Sequence, residues 1–77
     1  LNPQISYYYY DKGRFEYWLD RYREAIVSLT KGIELKPTEN KYIFRANCYM
    51  ELGEFDFALS DYNSAIKIDT IKSVMPN

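Results

Sequence analysis

The sequence contains no histidine. That removes the side chain that most often serves as a general base near neutral pH, and the commonest ligand for transition metals. Cysteine occurs once, at Cys48, so no disulfide can form within the chain. The expected compartment is reducing, hence intracellular and cytoplasmic. With three glycines, none of them clustered, there is no glycine-rich phosphate loop. No apolar run approaches the roughly 18–20 residues of a membrane helix. Neither sign of charge dominates. Ten basic and eleven acidic side chains give a net charge of −1, split as +1 over residues 1–38 and −2 over residues 39–77. Without a basic arm or stripe, nucleic acid and anionic membrane are poor candidates for partners. No group of Cys, Asp and Glu has metal-ligand spacing, so neither a metal nor a cofactor is expected. No acidic pair resembles a catalytic dyad, and Asp56, Asp61 and Asp69 are expected on solvated faces and at caps.

What the sequence has in excess is aromatic side chains, 18% of residues including nine tyrosines, among them the run Tyr7-Tyr8-Tyr9-Tyr10. Four successive aromatics point all round a helix, so at least one must be exposed or meet a partner.

Shifted by 33 residues, the chain matches itself. Tyr9 falls on Tyr42, Lys12 on Arg45, Gly13 on Ala46, and Leu19 on Leu52. Later in each unit, Tyr22 falls on Phe55, Ala25 on Ala58, Gly32 on Ala65, and Ile33 on Ile66. The series 22, 25, 26, 29, 32, 33 and 55, 58, 59, 62, 65, 66 advance in steps of three and four, which places each on one helical face. Each unit therefore reads as a helix pair, A then B, with helices expected at about 6–19, 21–35, 40–52 and 55–68. Gly53 and Asp20 occupy the A-to-B turns, where a left-handed residue ends a helix. Pro37 ends the first unit and Thr38 is the expected N-cap of the next helix. Small residues at 13/46, 25/58 and 32/65 suit close approach of antiparallel helix axes. The fold class is all-α, antiparallel helix pairs stacked as a solenoid.

The segments Tyr49-Met50-Glu51-Leu52-Gly53-Glu54-Phe55-Asp56-Phe57-Ala58-Leu59, Tyr22-Arg23-Glu24-Ala25-Ile26 and Gly32-Ile33-Glu34-Leu35-Lys36-Pro37 resemble the tetratricopeptide repeat. Departures from that pattern are Lys12 and Arg45 in place of Leu, Glu16 and Leu29 in place of aromatics, and Thr70 in place of the closing proline. The resemblance covers about residues 6–72. It implies repeats at 6–38 and 39–72 in a right-handed superhelix. Residues 1–5 are then expected to be the end of a preceding repeat or a linker, and 73–77 a tail or the start of a further or capping helix, with Ile71 onward opening it. Two repeats alone rarely cover their own faces, so a longer array or a covering partner is expected.

The resemblance also implies that the A helices line a concave face. Carried over position by position, that face holds Tyr7, Tyr10, Arg14, Tyr17 and Trp18 from the first unit and Asn40, Ile43, Phe44, Asn47, Met50 and Glu51 from the second. Rigid aromatic anchors suit docking of a peptide or helix. Inter-repeat packing accounts equally for Tyr7, Tyr10 and Trp18. The two-carboxylate clamp by which some family members grip chaperone tails is absent, its positions being held by Tyr10, Arg14 and Phe44. The expected function is a noncatalytic protein–protein interaction scaffold that binds a peptide or helical segment. The alternative is an architectural segment packed within a larger assembly, through neighbouring repeats or self-association. Cys48 is expected to be an inert core residue.

Overall fold

A computed structural model describes residues 2–74 of the chain. Among the described residues the chain forms four α-helices: α1 (Pro3–Trp18), α2 (Tyr22–Leu35), α3 (Glu39–Glu51) and α4 (Phe55–Val74). Helix α1 packs along α2, α3 along α4, and α2 also lies against α3, while α1 touches α3 over a short length. That is the all-α arrangement of stacked helix pairs, within an envelope of 39 × 30 × 17 Å.

The pairs close in the same way twice. Asp20 and Gly53 both take the left-handed conformation, with φ of 61° and 74°. In each turn the following amide reaches back five residues, Arg21 N–H to the Glu16 carbonyl (2.9 Å) and Glu54 N–H to the Tyr49 carbonyl (2.8 Å). These bonds satisfy carbonyls that a helix end would otherwise strand. Asp20 gains an additional tie, accepting a hydrogen bond from the Tyr22 hydroxyl at 2.8 Å.

The core is built from small residues set against a few large ones. Ala25, Leu29, Ala46, Cys48, Ala58 and Ala65 are buried. Gly13 is needed where α1 crosses α2, because a Cβ there would stand 2.6 Å from Leu29 Cγ. Tyr10, Tyr17, Tyr22, Ile26 and Phe44 pack partly buried against Ala25, Leu29 and Cys48.

Three local expectations are corrected. Helix α1 starts at Pro3, so residues 3–5 belong to the first A helix; Asn2 caps it by accepting the Gln4 amide. Helix α4 runs through Thr70 to Val74, so Ile71 to Val74 extend it and do not open a new helix. Nothing in this stretch breaks a helix, since Thr70 stands where Pro37 ends the first unit. Residues 75–77, including Pro76, lie outside the described residues, as does Leu1. Thr38 holds the N-cap position of α3 with extended backbone, but its side chain makes no capping bond.

Candidate functional site

The side chains on the A-helix side converge on Phe44 of α3. The rings of Tyr10, Tyr17 and Trp18 all meet it edge-on, at centroid distances of 5.9, 5.7 and 5.9 Å. Such T-shaped contacts set the positive ring edge against the negative face. Tyr7 extends the group from Tyr10 at 6.2 Å. Tyr17 also packs edge-on against Tyr22 at 5.8 Å, joining the cluster to the helix-pair interface. Burial, reinforced by the negative charge of Glu51, raises the Tyr17 phenol above its ordinary pKa. The spacing 7, 10, 14, 17, 18 along α1 brings these residues to one face, and Phe44 enters from α3 between them.

Arg14 lies within this aromatic surface. Its guanidinium carbon is 4.7 Å from the Tyr10 ring centre and 5.6 Å from that of Trp18, a cation–π arrangement. It donates through Nη2 to Asp11 Oδ1, and this bond holds its pKa above the ordinary arginine value. Its Nε is buried without a hydrogen-bond partner.

The other residues of the expected face are distributed differently. Asn40 shares a hollow between α1 and α3 with Tyr7 and Tyr10. Together with Ile43 it also lines a second hollow, between α3 and α4, with Tyr62, Ala65 and Ile66. Asn47 is committed to the helix pair, its Oδ1 accepting the Tyr62 hydroxyl. Met50 and Glu51 are exposed at the C-terminal end of α3. The structure thus gathers Tyr7, Tyr10, Arg14, Tyr17, Trp18, Asn40 and Phe44 into one neighbourhood. Ile43 faces the α3–α4 hollow, and Asn47 is a structural tie.

Sequence reasoning missed a set of polar contacts between the paired helices, at the positions where Lys12 and Arg45 replace leucine. Arg45 donates from Nε and Nη2 to both oxygens of Asp61 (2.8 and 2.7 Å) and from Nη1 to Thr30 Oγ1 (3.0 Å). Asp61 is therefore buried and paired, not on a solvated face as expected; Asp56 and Asp69 are exposed. One repeat earlier, Lys12 Nζ contacts Ser28 Oγ (3.1 Å) and Glu16 (2.8 Å), while Ser28 donates to Glu16 Oε1 (2.7 Å). Positions 12 and 28 lie one repeat before 45 and 61. Both repeats therefore tie helix A to helix B with a cation at the same place, the carboxylate coming from helix A in the first and helix B in the second. The signal available beforehand was the coincidence of two cations at equivalent positions of the two repeats, each with a polar residue sixteen positions later, Ser28 and Asp61.

Lys41 was also missed. It is buried, and its stem lies over Gly32, with Cδ and Cε 3.4 Å from where a Cβ would be. Its ammonium donates to the Lys36 carbonyl just beyond the end of α2, at 2.6 Å. A cation at that end complements the helix dipole, although burial lowers the lysine pKa.

Cys48 is buried, and burial pushes its thiol pKa up to about 11, opposite to the depression a nucleophilic cysteine needs. Among the described residues no cluster of Cys, Asp and Glu could hold a metal ion, and no helix is long and apolar enough to cross a membrane.

Comparison with known proteins agrees with this architecture. Residues 6–39 and 42–71 match the model of the tetratricopeptide repeat. Anaphase-promoting complex subunit 3 of Dictyostelium discoideum is 31% identical over 90% of this chain, which spans 7% of that protein. Heat shock protein STI1 of Saccharomyces cerevisiae is 35% identical over 79% of this chain and 11% of its own length. Outer dynein arm-docking complex subunit 4 of Xenopus laevis is 32% identical over 87% of this chain and 13% of its own length. The chain therefore spans about a tenth of each of these relatives. No solved structure matches it significantly. Two helix pairs closed by equivalent left-handed turns, small residues at equivalent crossings, and a family match over both units lead to one conclusion: the chain belongs to the tetratricopeptide repeat family.

Proposed function

We propose that the chain is a noncatalytic interaction module whose A-helix face binds a peptide or helical segment of a protein partner. Tetratricopeptide repeats are in general protein–protein interaction modules. The observation that carries the reading is the Phe44-centred cluster, with Tyr10, Tyr17 and Trp18 edge-on around one ring and Tyr7 at its margin. Tyr10, Tyr17 and Phe44 are half-buried and supply a rigid floor; Tyr7 and Trp18 are well exposed and supply contact area. Rigid aromatic side chains bury area at low entropic cost. Arg14 and Asn40 add polar anchoring beside them, and Met50 and Glu51 extend the surface along α3. The repeats run from 6–38 and 39–72 in this reading, and the site is intracellular, with protein and not nucleic acid or membrane as partner.

The test is an unbiased peptide-display selection on the parent and on a Tyr7→Ala/Trp18→Ala variant. Both residues are exposed, so the variant should keep its helical circular dichroism. A motif enriched on the parent and lost on the folded variant supports the groove.

A second reading is architectural. Two relatives carry names that make them subunits of complexes, an anaphase-promoting complex and a dynein-arm docking complex. Under this reading the same face is covered permanently inside an assembly, and display on a folded parent enriches nothing.

A further inference from the structure

The hollow between α1 and α3 has a volume of about 490 Å³, within the range of about 300–1,000 Å³ typical of ligand pockets. It lies between the A helices of the two repeats and not at either end of the stack. Tyr7 and Tyr10 of α1 wall one side. Lys36, Lys41 and Lys72 border it from the connection after α2, from α3 and from the last turn of α4. Three lysines thus converge on one place in a chain whose net charge is −1. Their charges are not cancelled locally. Glu39 is the carboxylate at the border, and Lys72 engages it at 2.9 Å. That leaves Lys36 and Lys41 in excess. Among the described residues neither has a carboxylate within ion-pair distance. Lys36 is exposed, but Lys41 is only 4% exposed. A buried ammonium is ordinarily paired with an anion, whereas the partner of Lys41 is the Lys36 carbonyl at 2.6 Å. Burial, and then the neighbouring charge of Lys36, lowers its pKa. Repeat stacking does not demand a cation at this position, since its counterpart in the first repeat is Tyr8. The start of α3 borders the same hollow, and the Thr38 side chain makes no capping bond there. A helix start of this kind adds to the attraction for an anion.

We infer that this hollow receives a phosphate group carried by the partner segment, a phosphorylated side chain held between Lys36 and Lys41 while the rest of the segment lies on the Phe44 cluster. This rests on the A-helix face as the peptide site. Tyr7 and Tyr10 belong both to the cluster and to the hollow, so a segment lying on the one runs into the other. Two uncompensated cations match the charge of about −1.5 to −2 that a phosphorylated side chain carries at neutral pH. A carboxylate would neutralise only one of them. The positions differ from those of the chaperone-tail clamp, which Tyr10, Arg14 and Phe44 hold in this chain, and both cations sit outside the aromatic cluster.

The test has two arms, both on the 77-residue chain at about pH 8, where phosphate is mainly the dianion. In the first, the isotope-labelled chain is titrated with inorganic phosphate and followed by amide NMR, with ionic strength held constant by sodium chloride. The amide signals of residues 38–41 should move and saturate. Lys36→Gln, at an exposed residue, and Lys41→Met, which keeps the stem over Gly32, should each weaken binding by roughly tenfold. Lys67→Gln, at an exposed lysine outside the hollow, should leave it unchanged. In the second arm, peptides are selected from display libraries with a fixed phosphoserine and with a fixed serine. Those from the first library should bind at least about tenfold more tightly than their unphosphorylated twins. Lys36→Gln should remove most of that difference and leave the affinity of the twins unchanged. Phosphate shifts that do not saturate, or that survive both lysine substitutions in folded chains, overturn the hollow as a phosphate site. Peptides that dock on the A-helix face equally well with and without the phosphate overturn the inference while the groove stands. Inorganic phosphate bound in the hollow with no peptide enriched from either library overturns the partner segment as its carrier, and the groove reading with it.

Discussion

Breaking the Arg45–Asp61 pair from one side should cost far more than removing it whole. The side chains are 17% and 6% exposed, and both carboxylate oxygens of Asp61 are engaged by the guanidinium. Arg45→Leu leaves a buried carboxylate without its cation, for which the expected loss is about 3–5 kcal/mol. Asp61→Ala should fall at the lower end of the range for truncating one partner of a buried pair, about 2–3 kcal/mol, because Arg45 keeps its bond to Thr30 and its place over the Tyr42 ring at 5.6 Å. A chain of this length has a total stability of about 4–12 kcal/mol, so either change can unfold it outright. The double variant Arg45→Leu/Asp61→Ala removes both charges and leaves apolar side chains at both positions. It should return to within about 1 kcal/mol of the parent, because an apolar replacement of a whole buried pair is often neutral. The coupling read from the cycle should be several kcal/mol, within the range of about 1.5–7 kcal/mol found for close charge pairs. The assay is urea unfolding followed by circular dichroism, with all four chains measured in the same buffer. Additive single costs in the double variant, or an Arg45→Leu cost below about 1 kcal/mol, would refute the claim that this pair is a buried, mutually dependent tie. The counterpart substitution Lys12→Leu should cost under about 1 kcal/mol, because the Lys12 side chain is nearly half exposed.

Other consequences follow from the same packing. Cys48, buried with a thiol pKa pushed up to about 11, should react with an aromatic disulfide reagent at pH 8 only through unfolding, so the native labelling rate should lie orders of magnitude below that in urea; equal rates would place the thiol at the surface. Gly53→Ala forces a side chain into φ of 74° with nothing nearby to support it, and should lower stability by about 1–2 kcal/mol in thermal melts. Burial pushes the Glu16 carboxyl up, but hydrogen bonds from Lys12 and Ser28 outweigh it, and the net pKa is lowered. A lowered carboxylate contributes stability above its unfolded pKa of about 4.3 and loses it as pH falls through the folded value. Glu16→Gln should therefore flatten the acid limb of the stability profile below about pH 4.3, and an unchanged limb would contradict that contribution. Lys41→Ala removes both the stem over Gly32 and the cation on the Lys36 carbonyl, whereas Lys41→Met removes only the latter; hydrogen exchange in the last turn of α2 should rise in both, and thermal stability should fall further in the alanine variant.

The helix pairs were legible because their determinants are local. Periodic apolar positions fix each helix face, and a residue suited to φ above zero marks each A-to-B turn, even where it is Asp20. The helix ends were less legible because nothing local stops them. Without a proline at position 70, α4 continues to Val74, and with Asn2 as a cap α1 starts at Pro3. The polar ties were hidden for a different reason. Whether Asp61 is solvated depends on Arg45, sixteen residues away on another helix, and Lys41 is buried because Gly32 leaves room for its stem. Of the expected A-helix face, the α1 residues assemble as the spacing implies. Asn47 does not, because its carbonyl oxygen is taken by Tyr62, a partner that helical periodicity alone does not reveal.

Trp18 is the single tryptophan of the chain and stands at the edge of the Phe44 cluster, so its emission reports directly on that surface. The decisive measurement is a fluorescence titration of the folded chain with a peptide obtained by display, run beside calorimetry on the same samples. If the A-helix face is the binding surface, Trp18 emission shifts to the blue and saturates with the calorimetric stoichiometry, and Tyr7→Ala weakens both signals together. A peptide that binds by calorimetry while Trp18 emission stays unchanged would place the binding surface elsewhere and contradict the account.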